Sequence, residues 1–170
     1  ITAVAVMQLV DAGRISLDAP VTRYLPDFRM LSPGYRTITV RMLLNHSAGL
    51  PGSDYANGFT TAPYDGYQAQ VLRALAGSRL KTTPGSMAVY CNDCFTLAGA
   101  VVSRVTGMSF PQYVTDRVLT PLGMAHTTFP TSPYAPGTWA PVIERRVARP
   151  QEFLNIYASG GIWSTPRDMS

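Results

Sequence analysis

The sequence predicts one mostly helical domain with few strands. Three observations carry this. Ile1, Val4, Ala5, Met7, Leu9 and Val10 form an almost wholly apolar run that Gly13 closes, which predicts a helix buried at the protein's centre. Residues 93–106 place Phe95, Ala98, Val101, Val102 and Val105 at helical spacing, with Gly107 at the position after the helix. The segments between carry Pro and Gly punctuation rather than the alternation of half-buried strands.

The chain has 170 residues, 46% of them apolar and 14% charged, enough for one domain with a real core. Its net charge is +4, and thirteen of the fourteen basic residues are arginines scattered from Arg14 to Arg167. No basic cluster tracks one helix, so the charge reads as a solvated surface and not as a nucleic-acid interface. No run approaches a membrane span. The chain opens in mid-pattern at Ile1 and stops at Ser170 inside a predicted helix start. The expectation is an incomplete single domain over residues 1–170, cut at both ends, with its compartment open between periplasmic or secreted and cytoplasmic.

Between the two main helices, residues 14–26 read as a polar connection pinned by Leu17, Val21, Tyr24 and Leu25. Thr39 is a good N-cap for a short helix over 40–46. Residues 51–63, rich in Gly, Pro, Asn and Ser, predict a long loop, and long ordered loops often border sites. A helix is predicted over 67–75 before Gly77, and another from the Ser109 cap to about Leu119. Residues 127–150, with five prolines, predict loop, and 153–164 a short strand broken by Gly160-Gly161. Thr165-Pro166-Arg167-Asp168 has the pattern of a capping box, with Pro at N1.

The most informative stretch is Tyr90-Cys91-Asn92, which a Pro-Gly turn delivers to the mouth of the 93–106 helix. A phenol can move a proton, and an amide can donate and accept at once. Tyr-x-Asn there is a candidate active-site element. Its plain alternative is a core Tyr beside an Asn N-cap. Cys91-Asn92-Asp93-Cys94 is also a Cys-x-x-Cys, but no βαβ setting for a redox site is visible, and two part-buried thiols, with or without a disulfide, explain it better. Two cysteines and the distant His46 and His126 make no zinc set, and no metal or cofactor is implied. Ser78-Arg79-Leu80-Lys81 is a literal Ser-x-x-Lys, but it lies at a frayed helix end and reads as a chance match. His46, at a helix end, and His126, in a loop, have ordinary structural explanations.

Five segments together resemble the serine β-lactamase family, and within it the branch of class C β-lactamases, serine D-peptidases and family VIII-type esterases. They are ITAVAVMQLVDAGRISLDAPVTRYLP, ITVRMLLNHSAGLP, TPGSMAVYCNDCFTLAGAVVSRVTGMSF, VLTPLGMAHTTF and GGIWSTPRDM, in the family's order. The resemblance implies the α/β (α+β) class and the β-lactamase/transpeptidase-like fold, here mostly its helical region with the antiparallel sheet largely missing. It implies that the nucleophilic Ser-x-x-Lys lies just before Ile1, and that a Lys-Thr-Gly or His-x-Gly strand follows Ser170.

The implied chemistry is acyl transfer on an ester, a D-amino-acid peptide or a β-lactam. Tyr90 would take the serine proton and later return one to the leaving group. A phenol in water titrates at roughly pH 10, so a phenolate at neutral pH needs a positive charge beside it, which the family's Lys would supply. Asn92 would bond that Lys and the substrate's acyl side chain. Ser159 and Gly160, in Ala158-Ser159-Gly160-Gly161, are candidate substrate contacts, the Gly pair suiting a close backbone approach. The alternative is a non-catalytic relative serving as a binding or scaffold protein, against which the presence of both Tyr90 and Asn92 argues. The chain by itself is expected to be inactive.

Overall fold

Helix α4 (Asn92–Thr106) is the axis of the fold, and the computed structural model describes residues 1–135, 137 and 139–170 around it. It is packed by α1 (Thr2–Asp11), α2 (Val40–Leu44), α3 (Tyr67–Ala76) and α5 (Phe110–Val114). Leu97, Ala98, Val101 and Val102 on α4 are fully buried. Burying each of the larger of these side chains contributes roughly 1.5–3 kcal/mol. Gly107 ends the helix at φ 74°, a left-handed conformation that costs a glycine nothing.

The capping expectations at Thr39 and Ser109 hold. The Thr39 hydroxyl accepts from Met42 N, and that of Ser109 from Gln112 N. α2 is shorter than predicted, because the chain turns out at His46 with φ 62°. α5 continues as a wide π-type turn (Thr115–Leu119). In the connection after α1, Val21 and Leu25 are buried and the Tyr24 hydroxyl accepts from Ser16 N.

The expectation of a central α1 needs correction. Thr2, Ala5, Val6 and Leu9 face the core, but Val4 is 48% and Met7 38% exposed. The run is apolar all round, yet the layers around it cover only one side.

Strand is sparse. β1 (Phe59–Thr60) pairs antiparallel with β4 (Phe153–Leu154), and of the rest of the predicted 153–164 strand only Trp163 pairs, in a single antiparallel bridge to Thr128. β2 (Ile143–Glu144) and β3 (Val147–Ala148) form a hairpin inside the predicted 127–150 loop. Its turn residues, Arg145 and Arg146, both have positive φ, as a tight hairpin turn requires, without the Asn or Gly that announces one. Pro136 and Thr138 of that loop lie outside the described residues. At 165–168 the Thr165 hydroxyl accepts from Asp168 N as predicted, but the segment forms turns and not helix. The Asp168 carboxylate is engaged elsewhere, accepting from His126 N and the Thr127 hydroxyl.

Candidate active site

The approach to α4 is held by the segment that follows α2. Lys81 N, Gly85 N and Val89 N donate to the carbonyls of Gly49, Ser47 and His46, so residues 81–89 run back along 46–49. This needs two backbones in close contact at Gly49, where a Cβ would fall 2.3 Å from the Thr82 carbonyl oxygen. The result is a firm platform that presents Tyr90 with 70% of its surface exposed.

From Cys91 onward the bonding shifts to the loop at 52–55, residue by residue. The Cys91 thiol meets the Gly52 carbonyl at 3.4 Å, and the Ser53 hydroxyl accepts from Asn92 N at 3.0 Å. The Asp93 carboxylate accepts from Asp54 N with both oxygens at 3.1 Å. The Asn92 amide then sits between two phenols. Its Oδ1 accepts from the Tyr90 hydroxyl at 2.9 Å, and its Nδ2 donates to the Tyr55 hydroxyl at 2.8 Å. One lone pair of Oδ1 and one N–H of Nδ2 remain for a further partner. Tyr90 and Asn92 are thus a bonded pair, one exposed and one only 7% exposed.

This overturns the plain reading of the pair on both counts. Tyr90 is not a core residue, and the N-cap is Cys91 in place of Asn92: the Cys91 Sγ accepts from Cys94 N at 3.1 Å. Both cysteines are buried free thiols. The Cys94 thiol, bonding to Cys91, holds the Cys91 thiol below its ordinary value, while the same contact and burial push Cys94 up. The arrangement caps a helix with sulfur and leaves Tyr90 and Asn92 side chains free for other work.

Two residues that sequence reasoning left out, Ser53 and Tyr55, and one that it read as an ordinary helix-end histidine, His46, complete the arrangement. His46 Nδ1 accepts from Cys91 N at 3.2 Å, and its ring lies 4.9 Å from that of Tyr90 and 5.1 Å from that of Phe95. Its role is that of a prop for the turn. Ser53 and Tyr55 hold Asn92 from the loop that the composition had marked as bordering a site. Behind them, burial pushes the Asp93 carboxyl up to about 6 against the opposing pull of Asp54 N–H. The Tyr67 hydroxyl donates to the Asp54 carbonyl, and burial, then the Asp93 and Asp54 charges, push that phenol up.

Ser159 and Gly160 lie apart from this pair, on a turn in which Ser159 N and Gly160 N both bond the Ile156 carbonyl. The turn is fastened to the start of α1 by the Thr2 hydroxyl, which donates to the Ala158 carbonyl at 2.6 Å. Ser159 and Gly160 line a cleft of about 350 Å³ with Ile1, Thr2 and Phe95. Phe95 therefore joins the two halves, its ring in contact with His46 and its side chain among those lining the cleft. The Ser159 hydroxyl is turned back to the Ile156 carbonyl. Close packing falls on Gly161, where a Cβ would lie 2.3 Å from the Leu154 carbonyl oxygen, and not on Gly160. Ser78 donates to the Ala74 carbonyl and Lys81 N is tied to Gly49, so that Ser-x-x-Lys spans a frayed helix end as expected. Among the described residues no group of three or more His, Cys, Asp or Glu is placed to hold a metal ion, and no helix is long and apolar enough to cross a membrane.

A largely helical layer packed around one central helix is the helical part of the β-lactamase/transpeptidase-like fold. The chain belongs to the Beta-lactamase family, whose model matches residues 1–170. The D-amino acid amidase of Ochrobactrum anthropi SV3, solved with L-phenylalanine, superimposes with a TM-score of 0.80 at 26% identity, over 99% of this chain and 49% of that one. "Protein flp" of Staphylococcus aureus (strain MW2) is 35% identical over 134 residues, 78% of this chain and 27% of that protein. Penicillin-binding protein 4 of Amycolatopsis lactamdurans is 36% identical over 124 residues, 72% of this chain and 32% of that protein. The chain thus spans about a quarter to a third of these curated relatives' length.

Proposed function

We propose that the intact protein is a serine hydrolase that works through an acyl-enzyme, with Tyr90 as its proton-transfer group and Asn92 as the residue that positions it. The observation that carries this is the 2.9 Å bond between an exposed Tyr90 hydroxyl and a buried Asn92 amide. A buried amide clamped from the far side by Tyr55 fixes the phenol oxygen at the open side of the helix mouth. The serine oxygen attacks the substrate carbonyl and its proton passes into the hydrogen-bonded group formed by the Lys amine and the Tyr90 phenol. The phenol then protonates the leaving nitrogen or oxygen as the carbonyl–heteroatom bond breaks, and water reverses the sequence to free the acid. The remaining Oδ1 lone pair and Nδ2 proton of Asn92 suit a Lys ammonium and a substrate acyl carbonyl. The substrate class is D-amino-acid amides or peptides, carboxylic esters, or β-lactams, the first favoured by likeness to the D-amino acid amidase. Ser159 and Gly160 would meet substrate in the cleft that they line with Phe95. Residues 1–170 alone are expected to perform no acyl transfer, their one Ser-x-x-Lys being the chance match Ser78–Lys81 at the end of α3.

The test uses the full-length protein, a fluorophosphonate probe and chromogenic esters and D-amino-acid amides. Labelling of one serine is expected, and Tyr90→Phe should lower kcat by about 10²–10⁴. An unlabelled wild type would sink the hydrolase and favour a binding protein. Unchanged turnover in Tyr90→Phe would remove the role given to the phenol.

A further inference from the structure

Tyr90 is exposed, yet the backbone that carries it is fixed on both sides by one residue. The His46 carbonyl accepts from Val89 N at 2.9 Å, and His46 Nδ1 accepts from Cys91 N at 3.2 Å. The residues before and after Tyr90 are thus both bonded to His46. Its ring meets that of Tyr90 as well, at 4.9 Å between centroids and tilted by 40°. A second ring contact, to Phe95 at 5.1 Å, ties the imidazole to α4. None of these contacts depends on an open surface.

The backbone of His46 is unusual in its own right. Its φ of 62° is a left-handed conformation that few residues other than glycine adopt, and in which Asn, Asp and His are enriched. With that turn the carbonyl and the imidazole of one residue both reach 89–91.

The bond to Cys91 N fixes the state of the ring. Nδ1 accepts only without a proton, so the one ring proton is on Nε2 and the imidazole is neutral. An imidazolium would set N–H against N–H, and Cys91, only 3% exposed, would lose the partner of its backbone N–H. A neutral ring brings no charge to Tyr90, so what it supplies is position and not stabilisation of a phenolate. We propose that His46, as the neutral Nε2–H imidazole, is the positioning residue of Tyr90 and governs kcat through the place of the phenol oxygen. This rests on the reading of Tyr90 as the proton-transfer group.

The test compares two substitutions at His46 in the full-length protein, on the same esters and D-amino-acid amides. His46→Gly removes ring and acceptor and leaves a residue for which the positive φ is unstrained. His46→Asn tolerates that φ and returns an amide oxygen near the place of Nδ1. His46→Gly should lower kcat about 10- to 100-fold with KM changed less than about threefold, and His46→Asn should recover all but about three- to fivefold. In His46→Gly combined with Tyr90→Phe, kcat should fall no further than in Tyr90→Phe alone, since no phenol oxygen is left to position. General damage to the fold would multiply the two losses. Nitrogen NMR of the wild-type imidazole should show Nδ1 bare and Nε2 protonated, which reads the tautomer even where a variant fails to fold. A protonated Nδ1, equal losses in His46→Gly and His46→Asn, or losses that multiply with Tyr90→Phe, overturns the proposal. Wild-type turnover in Tyr90→Phe removes the reading beneath it, and the proposal with it.

Discussion

Two stretches of α4 treat polar residues in opposite ways. At its mouth Cys91, Asn92 and Asp93 are each bonded to the loop at 52–55. One to three turns further in, Thr96 and Ser103 are buried without a partner. The first stretch shows how a fold fixes a reactive geometry: satisfied buried bonds hold one exposed phenol in place. In the second, the fold encloses hydroxyls that have neither a partner nor access to solvent. Both lie on one rigid element, so each can be perturbed while the other serves as a control.

The largest expected effect comes from dismantling the mouth. On the proposed hydrolase reading, Tyr90→Phe and Asn92→Ala should each lower kcat by about 10²–10⁴ in the full-length protein. Because the two act as one bonded unit, the double variant should fall little further than the worse single variant. Steady-state kinetics on a D-amino-acid amide or ester decides this. Losses that multiply would mean that Tyr90 and Asn92 act independently, and the bonded pair would lose its meaning.

Next is the buried carboxylate beneath the pair. An unfolded Asp titrates at roughly 3.9, whereas Asp93 is raised to about 6. Between these values the folded state holds more protons than the unfolded state, so stability falls as pH rises. The contribution of protonated Asp93 is complete below about pH 4 and lost as pH passes about 6. Asp93→Asn keeps an acceptor for Asp54 N and removes the charge. It should stabilise by about 1–3 kcal/mol at pH 8 and change little at pH 4. Urea midpoints of wild type and variant at the two pH values measure the difference. A variant equally displaced at both would show that the bonds to Asp54 N, and not the buried charge, dominate.

A direct contrast between the two stretches should follow in stability. Ser53→Ala strips the partner from a nearly buried Asn92 N–H and should cost about 1–3 kcal/mol. Thr96→Val, at similar burial, removes a hydroxyl that has no partner and should be neutral or slightly stabilising. Equal costs in denaturant melts would erase the distinction drawn here.

What the sequence could and could not convey follows from the range of the interactions. α3, α4, and the Thr39, Ser109 and Gly107 caps are local, and periodicity and residue type announced them. Tyr90 and Asn92 were legible because a phenol and an amide are odd choices for a plain turn. The partners of this motif lie 45, 39 and 37 residues upstream at His46, Ser53 and Tyr55. No local pattern carries such a register, although the Gly- and Asn-rich loop at 51–63 pointed to the right region. Asn92 looked like the cap because Asn commonly is one. Cys91 took the place because its sulfur accepts from Cys94 N. The β2–β3 hairpin was invisible because two arginines fill positive-φ positions that Asn or Gly would have signalled. The apolar run of α1 told of burial but not of how many sides other layers cover.

The smallest effect concerns the far side of the Asn92 amide. The Tyr55 hydroxyl accepts from Nδ2, while the Tyr55 ring is 52% exposed and rests near Phe59, 5.8 Å between centroids. Tyr55→Phe keeps the ring and removes only that acceptor. The amide remains held by Tyr90 on one side and by Asn92 N to Ser53 on its backbone. The loss is one partly exposed hydrogen bond, a net of roughly 1 kcal/mol, or about three- to tenfold. It should appear in kcat, because a loosened Asn92 misplaces the Tyr90 oxygen in the transition state, with KM nearly unchanged. A tenfold rise in KM with kcat preserved would instead make Tyr55 a substrate contact. The exposed ring would then be the part that matters, and the clamp on Asn92 would reduce to Tyr90 and Ser53.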